Sequence, residues 1–447
     1  MKKDISKFLR IRWRAMILII IPALLTLANI PRRGLSEGGQ GVFPKLSDKV
    51  DFWGSILPIL TWDDLASTSM LISAFSLSLY WAGFVLVVTS NPVPNIRFVL
   101  LTILGSVGAI FAQQNLRDAF LLSFSMLSFG LLEKFATSKV KSLRFIFIIP
   151  LVLAVTFKYP TSIAITLLFL FRFYARTSVL NARKIPSIML ASGLIVFIGV
   201  SVDKSLATAA SLDRGFVEQS VMYYDLASFY CWSDDPKTRA MALKALTKSL
   251  ATEDPKEICL THRPNAWIYL VSGGNFSEQG IRAPLRQLYG TEDQKSASFL
   301  RIGWLKTIVS DPVDYIQIKL IAATQIVTVG NPFLFAQLSL NEPKFPKNIS
   351  DYLWLPVSFL LILIGKSYFF SIFFQAILLL TLLFSGRFHD EYRSSIKVLL
   401  IVHTVNFLVL STSYVSDEAR YVFPIIVISY LILVKDIRFS RVQKREI

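Results

Sequence analysis

The chain alternates between long apolar runs and short segments dense in Lys and Arg. A helix crosses the hydrocarbon core with about 20 apolar residues, and with fewer inside a bundle. On that criterion the pattern predicts helices near 13–30, 67–89, 97–113, 118–133, 144–157 and 160–175. Further helices are predicted near 186–203, 315–336, 352–365, 367–386, 397–413 and 421–435. Backbone groups find no water in lipid, so each run must be helical despite its β-branched residues. Tight hairpins are read at Lys158-Tyr159-Pro160 and at Gly365-Lys366-Ser367. The expected fold is an all-α membrane protein of about 12 transmembrane helices.

The polar segments orient these runs. With the N-terminus inside, the cytoplasmic segments 134–144 and 172–184 hold four Lys/Arg each, and 435–447 holds five. The short outer turns hold few basic residues: Arg117, Lys158, Lys366 and Arg420. This asymmetry places both termini in the cytoplasm. It divides the chain into an N-terminal transmembrane region (1–203, with an outer loop at 31–66), a mostly helical extracytoplasmic loop domain (204–314) and a C-terminal transmembrane region (315–447). The first run follows Lys2, Lys3, Lys7, Arg10, Arg12 and Arg14 and lacks a small-residue cleavage site, so it reads as a retained helix.

Composition agrees with this picture. The 447 residues are 53% hydrophobic and only 17% charged, against roughly a quarter charged in soluble chains. The net charge of +17 would suggest nucleic acid in a soluble protein, but basic cytoplasmic loops account for much of it here. The expected site is a multi-pass position in a bacterial cytoplasmic (inner) membrane.

The loop domain carries its own signals. Asp235-Pro236 reads as N-cap and first residue of a helix through Leu250, with Met241, Leu243, Leu246 and Leu250 as its apolar side. Thr291-Glu292-Asp293-Gln294 reads as a capping box opening a helix through Val309, with Phe299, Ile302 and Leu305 on one face. Asp311-Pro312 caps the next helix. Cys231 and Cys259, the only cysteines, both fall in this domain. An outer compartment permits a disulfide between them, and two buried thiols are the alternative.

There is no Walker A motif, GxSxG elbow, HExxH or CxxC pair, and His262, His389 and His403 are scattered. The helix cores read as nearly free of charge, which argues against ion-coupled transport. Charge instead gathers at the outer boundary. The first loop carries Asp48, Asp51, Asp63 and Asp64; further clusters are Gln113–Asp118, Tyr224-Asp225-Leu226-Ala227, and Ser416–Tyr421. A carboxylate there can act as general base towards a hydroxyl, and an arginine can grip a phosphate. Solvated turns and an Asp63-Asp64 N-cap are the ordinary alternatives.

Three stretches carry a family likeness: QSVMYYDLASFY, FLRIGWLKTIVSDPVDYIQIK and SDEARYVFP, with NLRD at 115–118 as a fourth, weaker one. In these the chain resembles the GT-C superfamily of polytopic glycosyltransferases, and more closely bacterial membrane proteins related to it. The resemblance implies a polyprenyl-phosphate sugar donor, a cell-envelope glycan, lipid or protein acceptor, and a catalytic acid in the first outer loop. By position Asp48 and Asp51 match that acid, with Asp63 and Asp64 next; the latter pair comes later in the loop than the family's adjacent acids. Arg420, Tyr421, Arg117, Asp118, Lys158 and Asp225 are the expected substrate-binding residues. A monophosphate leaving group lets these cations act without a metal, whereas a pyrophosphate donor calls for a divalent ion. An O-antigen-type polymerase and a lipid-linked-sugar flippase are the competing expectations.

Overall fold

The computed structural model describes residues 13–25, 65–91, 93–113, 117–177, 182–209, 218–249, 259, 294–328, 368–385, 390–413 and 422–436. Among them every regular element is helical. In chain order these are α1 (Trp13–Leu25), α2 (Leu65–Thr89), α3 (Asn95–Ala112), α4 (Arg117–Phe135), α5 (Ile148–Phe157), α6 (Tyr159–Thr177) and α7 (Ile185–Ala209). They continue with α8 (Glu218–Trp232), α9 (Pro236–Ser249), α10 (Gln294–Ser310), α11 (Pro312–Thr328), α12 (Ile372–Phe384), α13 (Asp390–Ser413) and α14 (Phe423–Asp436).

Among the described residues three helices are long and apolar enough to cross a membrane: Asn95–Ala112, Ile185–Leu206 and Tyr392–Thr412. Trp13–Leu25, Ala74–Thr89, Ser142–Phe157 and Ile372–Phe384 are apolar but shorter. The expected count of about twelve is therefore not met on length and apolarity. Charge and shortness explain the difference. Asp118, Glu133 and Lys134 interrupt α4, Arg172 and Arg176 interrupt α6, and α5, α11 and α14 have only 10, 17 and 14 residues. The helix expected at 352–365 and the hairpin at 365–367 lie outside the described residues. The hairpin at Lys158 is present, since α5 ends at Phe157 and α6 starts at Tyr159.

Two local arrangements show how such a bundle is held. A Cβ built on Gly83 of α2 would lie 2.3 Å from the Met126 carbonyl oxygen of α4. One built on Gly130 would lie 2.3 Å from the Gly83 carbonyl oxygen. Two turns earlier in each helix the Ser76 and Ser123 hydroxyls meet at 2.9 Å. Matched pairs that rise together along both helices mean α2 and α4 run parallel, as alternate members of an up-and-down bundle must. In lipid, apolar area gives no drive between helices, so close backbone approach through small residues is the main source of attraction.

The second arrangement follows from Pro22. A proline has no N–H, so the carbonyl four residues back, that of Leu18, has no helical donor. Trp81 supplies one: its indole N–H donates to the Leu18 oxygen at 2.7 Å, joining α1 to α2. Several hydroxyls inside the apolar helices are satisfied by their own helix, as with Thr102 to Phe98 and Thr404 to Leu400. Large apolar side chains also face outward, Leu190 at 77% and Phe197 at 68% exposure on α7 among them. Such a surface suits lipid rather than water.

A second, smaller core joins α8, α9 and α10 around Tyr224, Phe229, Leu246 and Leu300. Two of the three expected caps form. The Asp235 carboxylate accepts the Thr238 backbone N–H at 3.0 Å and its hydroxyl at 2.8 Å, and these two bonds hold that carboxyl below its ordinary range. The Asp311 carboxylate accepts the Asp314 N–H at 3.1 Å, opening α11. The capping-box residues 291–293 lie outside the described residues. On α9 the buried side centres on Ala242, Ala245 and Leu246. On α10 the apolar face expected to pack turns outward: Phe299, Ile302 and Leu305 are exposed. Leu300 and Thr307 are buried instead, and Gly303 sits close against Ala245.

Candidate functional site

Three clusters of charge organise the described residues, and two of them contain expected site residues. The first lies where α4 begins and α5 meets α6. Phe157, the last residue of α5, stacks on Phe120 and Phe124 of α4, with ring centroids 5.0 and 5.5 Å away. This aromatic contact fixes the next residue, Lys158, beside the first turn of α4. The Lys158 ammonium lies 2.9 Å from the Asp118 carboxylate. Asp118 is buried and sits at a helix N-terminus, where the backbone dipoles favour a negative charge. Lys158 keeps 16% of its side chain exposed, so the pair reaches the surface through the cation. Gln113, at the end of α3, is buried as well. The structure thus brings together Asp118 and Lys158, which were expected from sequence as separate contributors. Arg117 is the first residue of α4.

The second cluster joins the small domain to α11. Asp225, fully buried on α8, accepts the Trp304 indole N–H at 3.0 Å and pairs with the Lys319 ammonium at 2.7 Å. Burial pushes the Asp225 carboxyl above its ordinary value of 3.8, against the opposing pull of Lys319 and the hydrogen bonds from Lys319 and Trp304. Nearby, Cys231 is disulfide-bonded to Cys259, with Cα atoms 5.4 Å apart. This selects the disulfide over two free thiols. Closing a loop of 28 residues removes roughly 3–4 kcal/mol of unfolded-chain entropy.

The third cluster was not foreseen: it joins charges that the sequence reading left as separate residues at helix ends. Asp118 and Glu133 are 15 residues apart on α4, so their ends of the bundle are separated by about 22 Å. At the Glu133 end the carboxylate receives three cations. Arg172 and Arg176 of α6 reach its two oxygens at 2.5 and 2.6 Å, and Lys435 of α14 joins at 2.6 Å. Arg172 also makes a two-pronged contact with Asp436 at 2.6 and 3.0 Å. Lys435 donates to the Val87 carbonyl and the Ser90 hydroxyl at the end of α2. Four helices are thereby tied at one point, with every oxygen of both carboxylates occupied. The sequence signal is an Arg pair four residues apart inside FLFRFYAR and a lone Glu ending an apolar helix. An ionisable residue at such a depth requires a partner.

Asp48, Asp51, Asp63, Asp64, Arg420 and Tyr421 lie outside the described residues. Among the described residues no group of three His, Cys, Asp or Glu is placed to hold a metal ion. No family model matches the chain, and neither a curated protein nor a solved structure is similar to it.

Proposed function

We propose that this chain is a multi-pass membrane glycosyltransferase of GT-C type. In this reading it spans a bacterial cytoplasmic membrane about 12 times, with both termini inside and the small domain outside. It moves a sugar from a polyprenyl-phosphate carrier to a cell-envelope glycan, lipid or protein acceptor on the outer face. A first-loop aspartate, Asp48 or Asp51 ahead of Asp63 or Asp64, deprotonates the acceptor hydroxyl for in-line attack at the anomeric carbon. The carbon–oxygen bond to the carrier phosphate breaks, and Arg420 with Lys158 stabilises the departing phosphate. Tyr421, Arg117 and Asp118 line the same rim.

The observation that carries this reading is the interlocking of two segments of family likeness. Asp225 of YYDLA meets both Trp304 and Lys319 of GWLKTIVSDPVDYIQIK. Stretches chosen separately for their resemblance thus act as one unit. The disulfide supports an oxidising, outer location for the domain.

The test is sugar transfer by the purified chain in vesicles, from a labelled polyprenyl-phosphate sugar. Replacing the catalytic aspartate by Asn, or Arg420 by Ala, should slow transfer by about 100-fold or more. Full activity with all four first-loop aspartates changed to Asn would sink the transferase mechanism. One observation favours a second reading, a lipid-linked-sugar flippase: the charged cluster at Glu133 closes one end of the bundle, as a gate would. Such a protein would move the lipid-linked sugar across vesicles without consuming it, and would do so with every first-loop aspartate replaced.

A further inference from the structure

Helix α10 is apolar on two opposite sides. Leu300, Gly303, Trp304, Thr307 and Ile308 face α8 and α9. On the opposite side Ile302, Leu305 and Val309 are exposed, Val309 at 79%. Two opposite apolar sides on one helix, only one of them packed on the domain, leave the second available for a cover. Beyond the Asp311 break, α11 has an exposed apolar side of its own, with Val313, Ile316 and Leu320 at spacings of three and four residues. α11 in turn packs against α13, one of the helices long and apolar enough to cross a membrane. On α10 the stripe is flanked by exposed Arg301 and Lys306, one on each side.

We infer that α10 is an interfacial helix, lying in the outer surface of the membrane with Ile302, Leu305 and Val309 in the acyl boundary. The cover is lipid because the adjoining α11, which packs on the membrane-length α13, also exposes apolar side chains. Arg301 and Lys306 fit this placement: basic residues flanking an apolar stripe reach anionic headgroups while their stems cover hydrocarbon. The small domain then rests on the membrane along α10 and is anchored to the bundle by Asp225–Lys319. Its position over the bundle is set by lipid contact as well as by protein contact. The inference uses the membrane placement of the proposed function and is independent of the transferase chemistry.

The native cysteines are joined in a disulfide, so a cysteine introduced in the intact chain is the one reactive thiol when no reductant is present. Spin labels placed through Ile302→Cys, Leu305→Cys and Val309→Cys, each at an exposed position, report their surroundings by collision with oxygen or a nickel chelate. The chain is reconstituted in vesicles of phosphatidylethanolamine and phosphatidylglycerol. Leu408→Cys, on the exposed side of α13, serves as the lipid reference, and Lys244→Cys, exposed on α9, as the aqueous one. The expected result is oxygen accessibility above nickel accessibility at all three α10 positions, as at Leu408, with the order reversed at Lys244. Nickel accessibility above oxygen at the α10 positions, with Leu408 still in lipid, overturns the interfacial helix and leaves the membrane reading standing. Low accessibility to both, with an immobilised label, means a protein covers the face and also overturns it. Nickel accessibility at Leu408 as well overturns the membrane placement itself.

Discussion

The two ends of α4 handle buried charge in opposite ways. At Glu133 three cations and two carboxylates satisfy one another, and the contacts tie α2, α4, α6 and α14 together. At Asp118 the partner is Lys158, held by an aromatic stack and open to the surface. At the Glu133 end the Glu133 carboxylate is fully buried and each of its oxygens is held by a cation. A cluster closed on itself across several helices is architecture. In the proposed transferase, the Asp118–Lys158 end is where chemistry occurs.

The strongest way to break this contrast is to remove Glu133. Glu133→Gln leaves Arg172, Arg176 and Lys435 without their shared counter-charge, and breaking a buried pair in this way costs about 3–5 kcal/mol. The expected readout is a large loss of folded protein in a denaturant titration. Exchanging Glu133 and Asp436 for Leu together with Arg172, Arg176 and Lys435 for Met should restore most of that loss, since no charge of the cluster is then left uncompensated. Cys231→Ser follows at about 2–4 kcal/mol. Proteolysis should then cut the small domain while the bundle stays intact; equal cleavage of both would contradict the separation of the two cores.

Gly83→Ala comes next. Its methyl would meet the Met126 backbone at 2.3 Å, so α2 and α4 must move apart, at about 1–3 kcal/mol. A thermal midpoint equal to that of the native chain would show that the seam carries no load. The smallest effect is electrostatic. Burial holds the folded Asp225 carboxyl above its ordinary value of 3.8, so the folded domain binds this proton more tightly than the unfolded chain does. Its contribution to stability is complete below that value and declines as pH rises through the folded value. Melting of the domain across this window should slope downward with pH, and Asp225→Asn should flatten the slope.

Much of the small domain was legible in the sequence. The Asp235 and Asp311 caps are local, needing only an acceptor two or three residues ahead of free N–H groups, and both were found where the residue pattern put them. The apolar face of α10 was also visible, but not what it faces: periodicity finds a stripe without naming its partner, and Ile302 and Leu305 point away from the domain core. At the candidate site, Asp118 and Lys158 were each visible as polar residues in turns, while their pairing depends on Phe157 stacking across two helices. The Glu133 cluster joins residues from the ends of α2, α4, α6 and α14, separated by up to 348 positions between Val87 and Lys435. Hydropathy averages such residues into loop ends, which is why they read as ordinary cytoplasmic charges.

On the proposed reading, function belongs to the Asp118 end and architecture to the Glu133 end. Its most direct test is sugar transfer per folded molecule, measured in vesicles for Asp118→Asn and for the apolar exchange of Glu133, Asp436, Arg172, Arg176 and Lys435. The account predicts about a 10-fold or greater loss for Asp118→Asn and native transfer for the apolar exchange. Native transfer by Asp118→Asn with loss in the apolar exchange would contradict it.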